Sequence, residues 1–458
     1  MQLIVGMAVA CGLSCTSIVT GKAGVWTIGE LVLDDLELNA VPELILRDLI
    51  PVCVGERDVF HDDVQMTSIG GQHIACVTSR GSVWTWGNGA NGCLGHGDVA
   101  SRQEPTKLDI SLFGESPAAM VTCGMHFTMV LTTTGLVYEF GKIGDNDMQT
   151  RNLIPILLPQ ELFGQVRIVM LAGAAYHCVA LGRNGRVWSW GNGGFGQLGH
   201  NDVQNQLVPK LLEALVNVGM IVHVAASGGH TMAVTHEGEL WAWGWGDDGQ
   251  LGIDSHDDCN IPMHVGGADI FQDSPVQQAV CGDNFSMVVT QKGGLFSWGA
   301  GQSGQLGHNN NQDLFRPKQI LPQYFNHVSI VFAACGDYHA AAVTTQGAVY
   351  TWGGHGFERN GHMVTMGLGH PDNRGVKMPT IISEHLLRGE YVGCQHGIPF
   401  LHVIAFAMGT HERLANNNTT SPFTSFHTCP YSLLPGEMLE RIVNYTKCAP
   451  MTAHIQAI

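Results

Sequence analysis

Four histidines stand at one recurring position, each closing a short turn between two apolar runs: His73, His177, His230 and His339. Converging imidazoles could ligate a metal or move a proton. These fall one to a repeat unit, which spreads them around a ring, so each is read as satisfying a turn carbonyl in its own unit. Two of the same turns carry an acid, in Gly282-Asp283-Asn284-Phe285 and Gly336-Asp337-Tyr338-His339, and a third places Gln72 beside His73. Four stretches contain G-x-G-x-x-G, among them Gly191-Gly193-Gly196 and Gly299-Gly301-Gly304. A dinucleotide site needs such glycines to open a helix whose N-terminus faces the pyrophosphate. Here Gln-Leu-Gly-His and another strand follow, so the glycines are assigned to positive-φ turns. The chain has no nucleophile elbow, P-loop, H-E-x-x-H run or paired-carboxylate motif, so no chemical active site, metal or cofactor is expected.

The elements that hold these turns repeat. Gly185 to His200 reads GRVWSWGNGGFGQLGH, and related copies begin at Gly81, Gly238, Gly294 and Gly347, with weaker ones at Gly24 and Gly135. The residue before the repeated glycine is Ile28, Trp86, Phe140, Trp190, Trp243, Trp298 and Trp352, a period of about 54 residues. Each copy follows an apolar run, a Gly-x-x-His-like turn and a second apolar run, as in FAACGDYHAAAVT from Phe332. A Pro-containing run comes after it, as at Pro209 and Pro262. Alternation of β-branched and aromatic residues between glycine turns gives four short antiparallel strands per unit. Seven such units predict an all-β fold, a seven-bladed β-propeller over 1–406. The paired tryptophans, such as Trp188 with Trp190, pack between blades.

The unit VWxWGxGxxGQLGHGD with its ACGxxH turn resembles the repeat of the regulator of chromosome condensation family over 1–406. That resemblance implies the propeller and offers one activity, nucleotide exchange on a Ran-like GTPase. In that mechanism one propeller face, built partly from the Gly-x-x-His turns, displaces the nucleotide. Carried onto this chain, the partner-binding residues are Gln72, His73, Asp283, Asp337 and His339, with an acidic side chain pairing to basic residues of the GTPase. The third unit lacks the long insertion that would act as an exchange wedge, and no basic tail is present.

Charge narrows the partners. The net charge is −17, from 22 Lys and Arg against 39 acids in 458 residues. Nucleic-acid backbones are bound by displacing counterions with cations, so direct nucleic-acid binding is not expected. An acidic surface favours basic protein partners. Of 13 cysteines, Cys11, Cys123, Cys281, Cys335 and Cys394 share one repeat position, which marks them as buried thiols and fits a reducing, cytoplasmic or nuclear compartment. Residues 1–20 are uncharged but align with the repeat, so they are read as blade strands and no membrane contact is expected.

Departures from the repeat mark the variable parts. The linker 30–65 is long and predicts a short helix after Pro42. The third unit lacks its Gly-Gln-Leu-Gly-His segment, and the seventh carries an insertion at 358–366. Residues 391–406 hold a further copy of the first strand pair, so either they or residues 1–19 supply the closing inner strands. Residues 407–432 read as a polar linker. In 433–458, Leu434, Pro435, Leu439 and Ile442 have helical spacing and resemble the opening helix of an F-box, with a packing cap as the plainer reading. The expected function is a monomeric protein-interaction scaffold. Its alternatives are exchange on a Ran-like GTPase and substrate recruitment to a ubiquitin ligase.

Overall fold

In the computed structural model, the described residues are 8–11, 15–20, 24–29, 52–55, 57–144, 151–266, 270–271, 274–354, 357–359, 362–364 and 376–382. The segment after Pro42, Gly367 to His370, the partial copy at 391–406 and the tail residues Leu434, Pro435, Leu439 and Ile442 lie outside them. Seven four-stranded antiparallel sheets are present. Blade 1 spans 8–55 and is described as backbone. Blades 2 to 7 span 64–107, 118–157, 168–211, 221–265, 276–319 and 330–381. Each blade takes its strands in chain order, inner to outer. The inner strands neighbour one another in sequence, and the ring closes where Ala8–Cys11 meets Ile330–Cys335. Of the two segments that could close the ring, the N-terminal one therefore supplies the inner strands of blade 1.

Blade 4 shows why these residues form this unit. Ile168–Gly173 and His177–Gly182 pair through a tight turn, and Val187–Gly191 adds the tryptophan strand. The loop to Gln206–Leu211 is the G-x-G-x-x-G stretch. Gly191 and Gly196 have φ of 106° and 76°, the left-handed region only glycine enters freely. The middle glycine, Gly193, is needed for a different reason: a Cβ there would strike the Gln204 carbonyl. So the expectation of positive φ holds for two of the three, and close approach explains the third. No helix follows, and the stretch is a strand-to-strand loop.

The core lies between the blades. Trp190, Trp243, Trp298 and Trp352 are each at most 1% exposed, and burying a side chain of this size contributes roughly 2–3 kcal/mol each. Short 3-10 turns in the linkers add a second aromatic. Phe163, ending Gln160–Phe163, meets Trp188 edge-to-face at 5.8 Å, and Phe325, ending Pro322–Phe325, meets Tyr350 at 5.1 Å. The short helix Arg57–Phe60 sets Phe60 against Trp84 at 5.4 Å in the same way.

Each outer strand of blades 2 to 7 carries a proline inside it: Pro105, Pro155, Pro209, Pro262, Pro317 and Pro379. Proline cannot donate to a further strand, so these edges resist edge-to-edge pairing. In blade 7 the insertion folds back as a two-stranded hairpin, Phe357–Arg359 with His362–Val364.

Candidate functional site

Along each blade, the first hairpin turn and the loop after the tryptophan strand lie at the same end. A backbone bond joins them, from Asn88 to Gln72, Asn192 to Tyr176, Trp245 to Gly229 and Ala300 to Asn284. This end is where the candidate residues gather.

The histidines do not face the solvent. His73 and His339 are 1% and 0% exposed, and both are held inside the wall rather than offered to a partner. His73 Nε2 lies 2.8 Å from Thr128 Oγ1 in the next blade, and that hydroxyl donates to the Cys93 carbonyl. His177 pairs with Thr231, which donates to the Gln197 carbonyl, and His230 pairs with Ser286, which donates to Gln250. Since each hydroxyl spends its proton on a carbonyl, Nε2 must carry the imidazole proton. Trp243 and Trp298 Nε1 donate to the same two Gln carbonyls at 2.9 Å. The expected turn-carbonyl partner is thus replaced by a relay that crosses the seam between blades. Burial holds the four imidazoles neutral: His73 and His339 fall to about 4, His177 and His230 to about 3, with a neighbouring His126 adding to His73 and His230 adding to His177.

The acids behave differently. Burial, and then the charge of Asp283 across the seam, push the Asp337 carboxyl up to about 7. Asp283 is raised by burial and then by Asp248. Asp248, from the loop after the tryptophan strand of blade 5, is raised by burial and then by Asp313, while a hydrogen bond from Asn284 favours its ionised form. Asp248, Asp283 and Asp337 therefore form one electrostatically coupled group across blades 5, 6 and 7. Tyr338 sits beside them, 36% exposed, its hydroxyl raised by burial and by Asp283 and Asp337. On the flank toward blade 4, Phe195 and Trp245 stack at 5.3 Å with 23° between the rings, and Phe195 is 45% exposed.

The structure brings Asp283 and Asp337 together. Gln72 is exposed on the same end in blade 2, where its Oε1 accepts from Asn88 Nδ2 at 2.8 Å. Sequence reasoning missed Asp248, Asn284, Trp245 and Phe195. Its available signal was the blade 5 loop WGWGDDGQLG, where Trp245 stands in the place of Asn88 and Asn192. Among the described residues no group of three or more His, Cys, Asp or Glu is arranged to hold a metal, and no helix is long and apolar enough to cross a membrane.

Coupled, half-buried carboxylates and a stacked aromatic pair with Phe195 exposed line one end of a closed ring of blades, which defines a β-propeller. Its lineage is plain from comparison. Residues 2–320 match the RCC1-like domain model, and 330–358 match the regulator of chromosome condensation (RCC1) repeat. The chain belongs to the RCC1-like domain family.

The ultraviolet-B receptor UVR8 of Arabidopsis thaliana is 33% identical over 307 residues, covering 65% of this chain and 67% of that protein. The E3 ubiquitin-protein ligase HERC2 of Mus musculus is 33% identical over 289 residues, which are 62% of this chain but 6% of that protein. The chain thus spans a small fraction of HERC2. Among solved structures, Prp20p from Saccharomyces cerevisiae, described with its binding to Gsp1p and histones, superposes with a TM-score of 0.65 at 21% identity. That match covers 84% of this chain and 90% of Prp20p, and supports the fold.

Proposed function

We propose that this chain is a protein-interaction propeller that docks a basic surface of a partner protein on the end bearing Asp248, Asp283 and Asp337, in the cytoplasm or nucleus. The observation that carries the reading is the coupling of Asp283 to Asp337 and to Asp248. Three carboxylates held above their ordinary range repel one another, and a guanidinium or ammonium arriving among them relieves that repulsion. Trp245 and Phe195 supply an apolar, cation-attracting flank. The test is binding of an arginine- and lysine-rich peptide, followed by anisotropy. The D283N/D337N variant is expected to weaken it about tenfold or more, and unchanged binding would remove the reading.

Nucleotide exchange on a Ran-like GTPase is a second reading, favoured by the meeting of Asp283 and Asp337 on the turn face that the family resemblance assigns to exchange. It predicts faster release of fluorescent GDP from the GTPase, lost in Asp337→Ala. A third reading, recruitment to a ubiquitin ligase, rests on Leu434, Pro435, Leu439 and Ile442. It predicts loss of ligase-subunit binding when 433–458 is deleted.

A further inference from the structure

At the opposite end of the propeller, the second and third strands of each blade join in a hairpin, and blade 4 is unlike the rest there. Its hairpin is Gly182-Arg183-Asn184-Gly185-Arg186, and the Arg183 amide donates to the carbonyl of Arg167, the residue that leads into the inner strand. The same bond recurs in every other described hairpin, for example from His236 to Met220 in blade 5, so the three arginine positions can be matched blade by blade. In blade 5 they are Met220, His236 and Glu239, and none of blades 2, 3, 5, 6 and 7 has Lys or Arg at any of the three. In a chain of net charge −17 with 22 Lys and Arg, three arginines meeting at matched positions of one blade run against the composition.

The geometry leaves Arg183 and Arg186 available beside a partly engaged Arg167. Arg183 and Arg186 are exposed, and among the described residues no carboxylate lies within ion-pair distance of any of the three. Arg167 reaches across to blade 3, where its Nη2 donates to the Thr133 carbonyl at 2.5 Å and its stem lies over Gly135, a position where a side chain would collide with it. Its Nε is buried and has no hydrogen-bond partner. A buried, unpartnered N–H of a charged group is costly to leave unmade, and the like-charged Arg183 guanidinium acts on it.

We infer that Arg167, Arg183 and Arg186 form a docking surface for an acidic, Asp/Glu-rich segment of a protein partner. Each guanidinium presents a planar fork that matches a carboxylate. A protein segment is favoured over a nucleic acid because three cations release few counterions, while the rest of the chain repels a phosphate backbone. This surface is of opposite sign to the Asp248–Asp283–Asp337 end and stands or falls separately from it. A propeller carrying both can hold a basic and an acidic partner on its two ends.

The test is anisotropy of a short fluorescein-labelled peptide of alternating Glu and Gly, titrated with the full chain at low salt, where exposed charge pairs are least screened. R183E/R186E is expected to weaken binding at least about tenfold. The neutral R183Q/R186Q must also weaken it, and R80E on the blade 2 hairpin must leave it unchanged. Near-UV circular dichroism confirms that the variants are folded. Equal binding by wild type and R183Q/R186Q, equal loss in R80E, or tighter capture of single-stranded RNA than of the peptide through the same arginines would overturn the inference.

Discussion

The seam between blades 5 and 6 and the seam between blades 3 and 4 are built from the same repeat, yet they hold together differently. At the first, His230, Ser286, the Gln250 carbonyl and Trp298 form one unbroken set of hydrogen bonds. At the second only the tryptophan, Trp190, is kept. Phe127 stands in the histidine position, Cys178 in the hydroxyl position, and the loop that would offer the Gln carbonyl has lost its motif. Trp190 Nε1 accordingly has no partner that completes a hydrogen bond. Glu139 fills the strand position that Ser189 and Ser297 hold in their blades, where each hydroxyl donates to a leucine carbonyl and meets a histidine. Burial pushes the Glu139 carboxyl up to about 7, although the nearby Trp190 indole favours its charge. Cys178 is raised well above a free thiol, by burial and then by Glu139. At the far end Arg167 staples the same two blades. Losing one loop motif thus removes a whole polar relay, and what replaces it is ionisable.

The largest effect should come from the intact seams. Trp243→Ala removes a fully buried indole and its bond to Gln197, and should cost about 3–5 kcal/mol in chemical denaturation. Ser286→Ala strands the His230 N–H and leaves the Gln250 carbonyl with the Trp298 indole as its side-chain donor, for about 1–3 kcal/mol. The mirror experiment, Cys178→Thr, should not restore stability, because a hydroxyl there meets neither histidine nor Gln carbonyl. A gain in melting temperature would break the comparison.

Glu139→Gln sharpens it through pH. The folded carboxyl titrates near 7, above its ordinary 4.5. Ionisation therefore opposes folding, and the stability present below 4.5 is lost as pH rises through 7. The variant lacks that slope, so its melting temperature should gain on wild type from pH 5 to pH 8 and then level off. Parallel curves would mean the carboxyl is not buried as described. The smallest effect is expected of Arg167→Met, roughly 1–2 kcal/mol for one charged hydrogen bond at the blade 3–4 hairpins.

Much of the scaffold was readable before any coordinates. The tryptophan strand, the turn glycines and the proline run recur because every blade faces the same packing problem. Even the relay was legible in part. His73, His177 and His230 lie 55, 54 and 56 residues before their hydroxyl partners, which is one period. What periodicity cannot display is convergence between different repeat positions. Asp248 comes from a third-strand loop, whereas Asp283 and Asp337 come from first hairpin turns. Only the angular step between blades 5, 6 and 7 brings them together. Arg167, Arg183 and Arg186 escaped for the same reason, since each looks like an isolated surface cation until the hairpin bond sets them side by side. The histidines were read as bonding a turn carbonyl of their own unit, while the rings of His73, His177 and His230 meet a hydroxyl of the next blade.

The central claim is that Asp248, Asp283 and Asp337 act as one cation-receiving group. The most direct measurement is the affinity for the arginine- and lysine-rich peptide between pH 6 and pH 8, in wild type and in D283N/D337N. Because Asp337 titrates near 7 in the folded chain, wild-type affinity should climb by about tenfold across that range as the group ionises, and the variant should be weak and flat. Equal affinities, or the same pH profile in both proteins, would contradict the account.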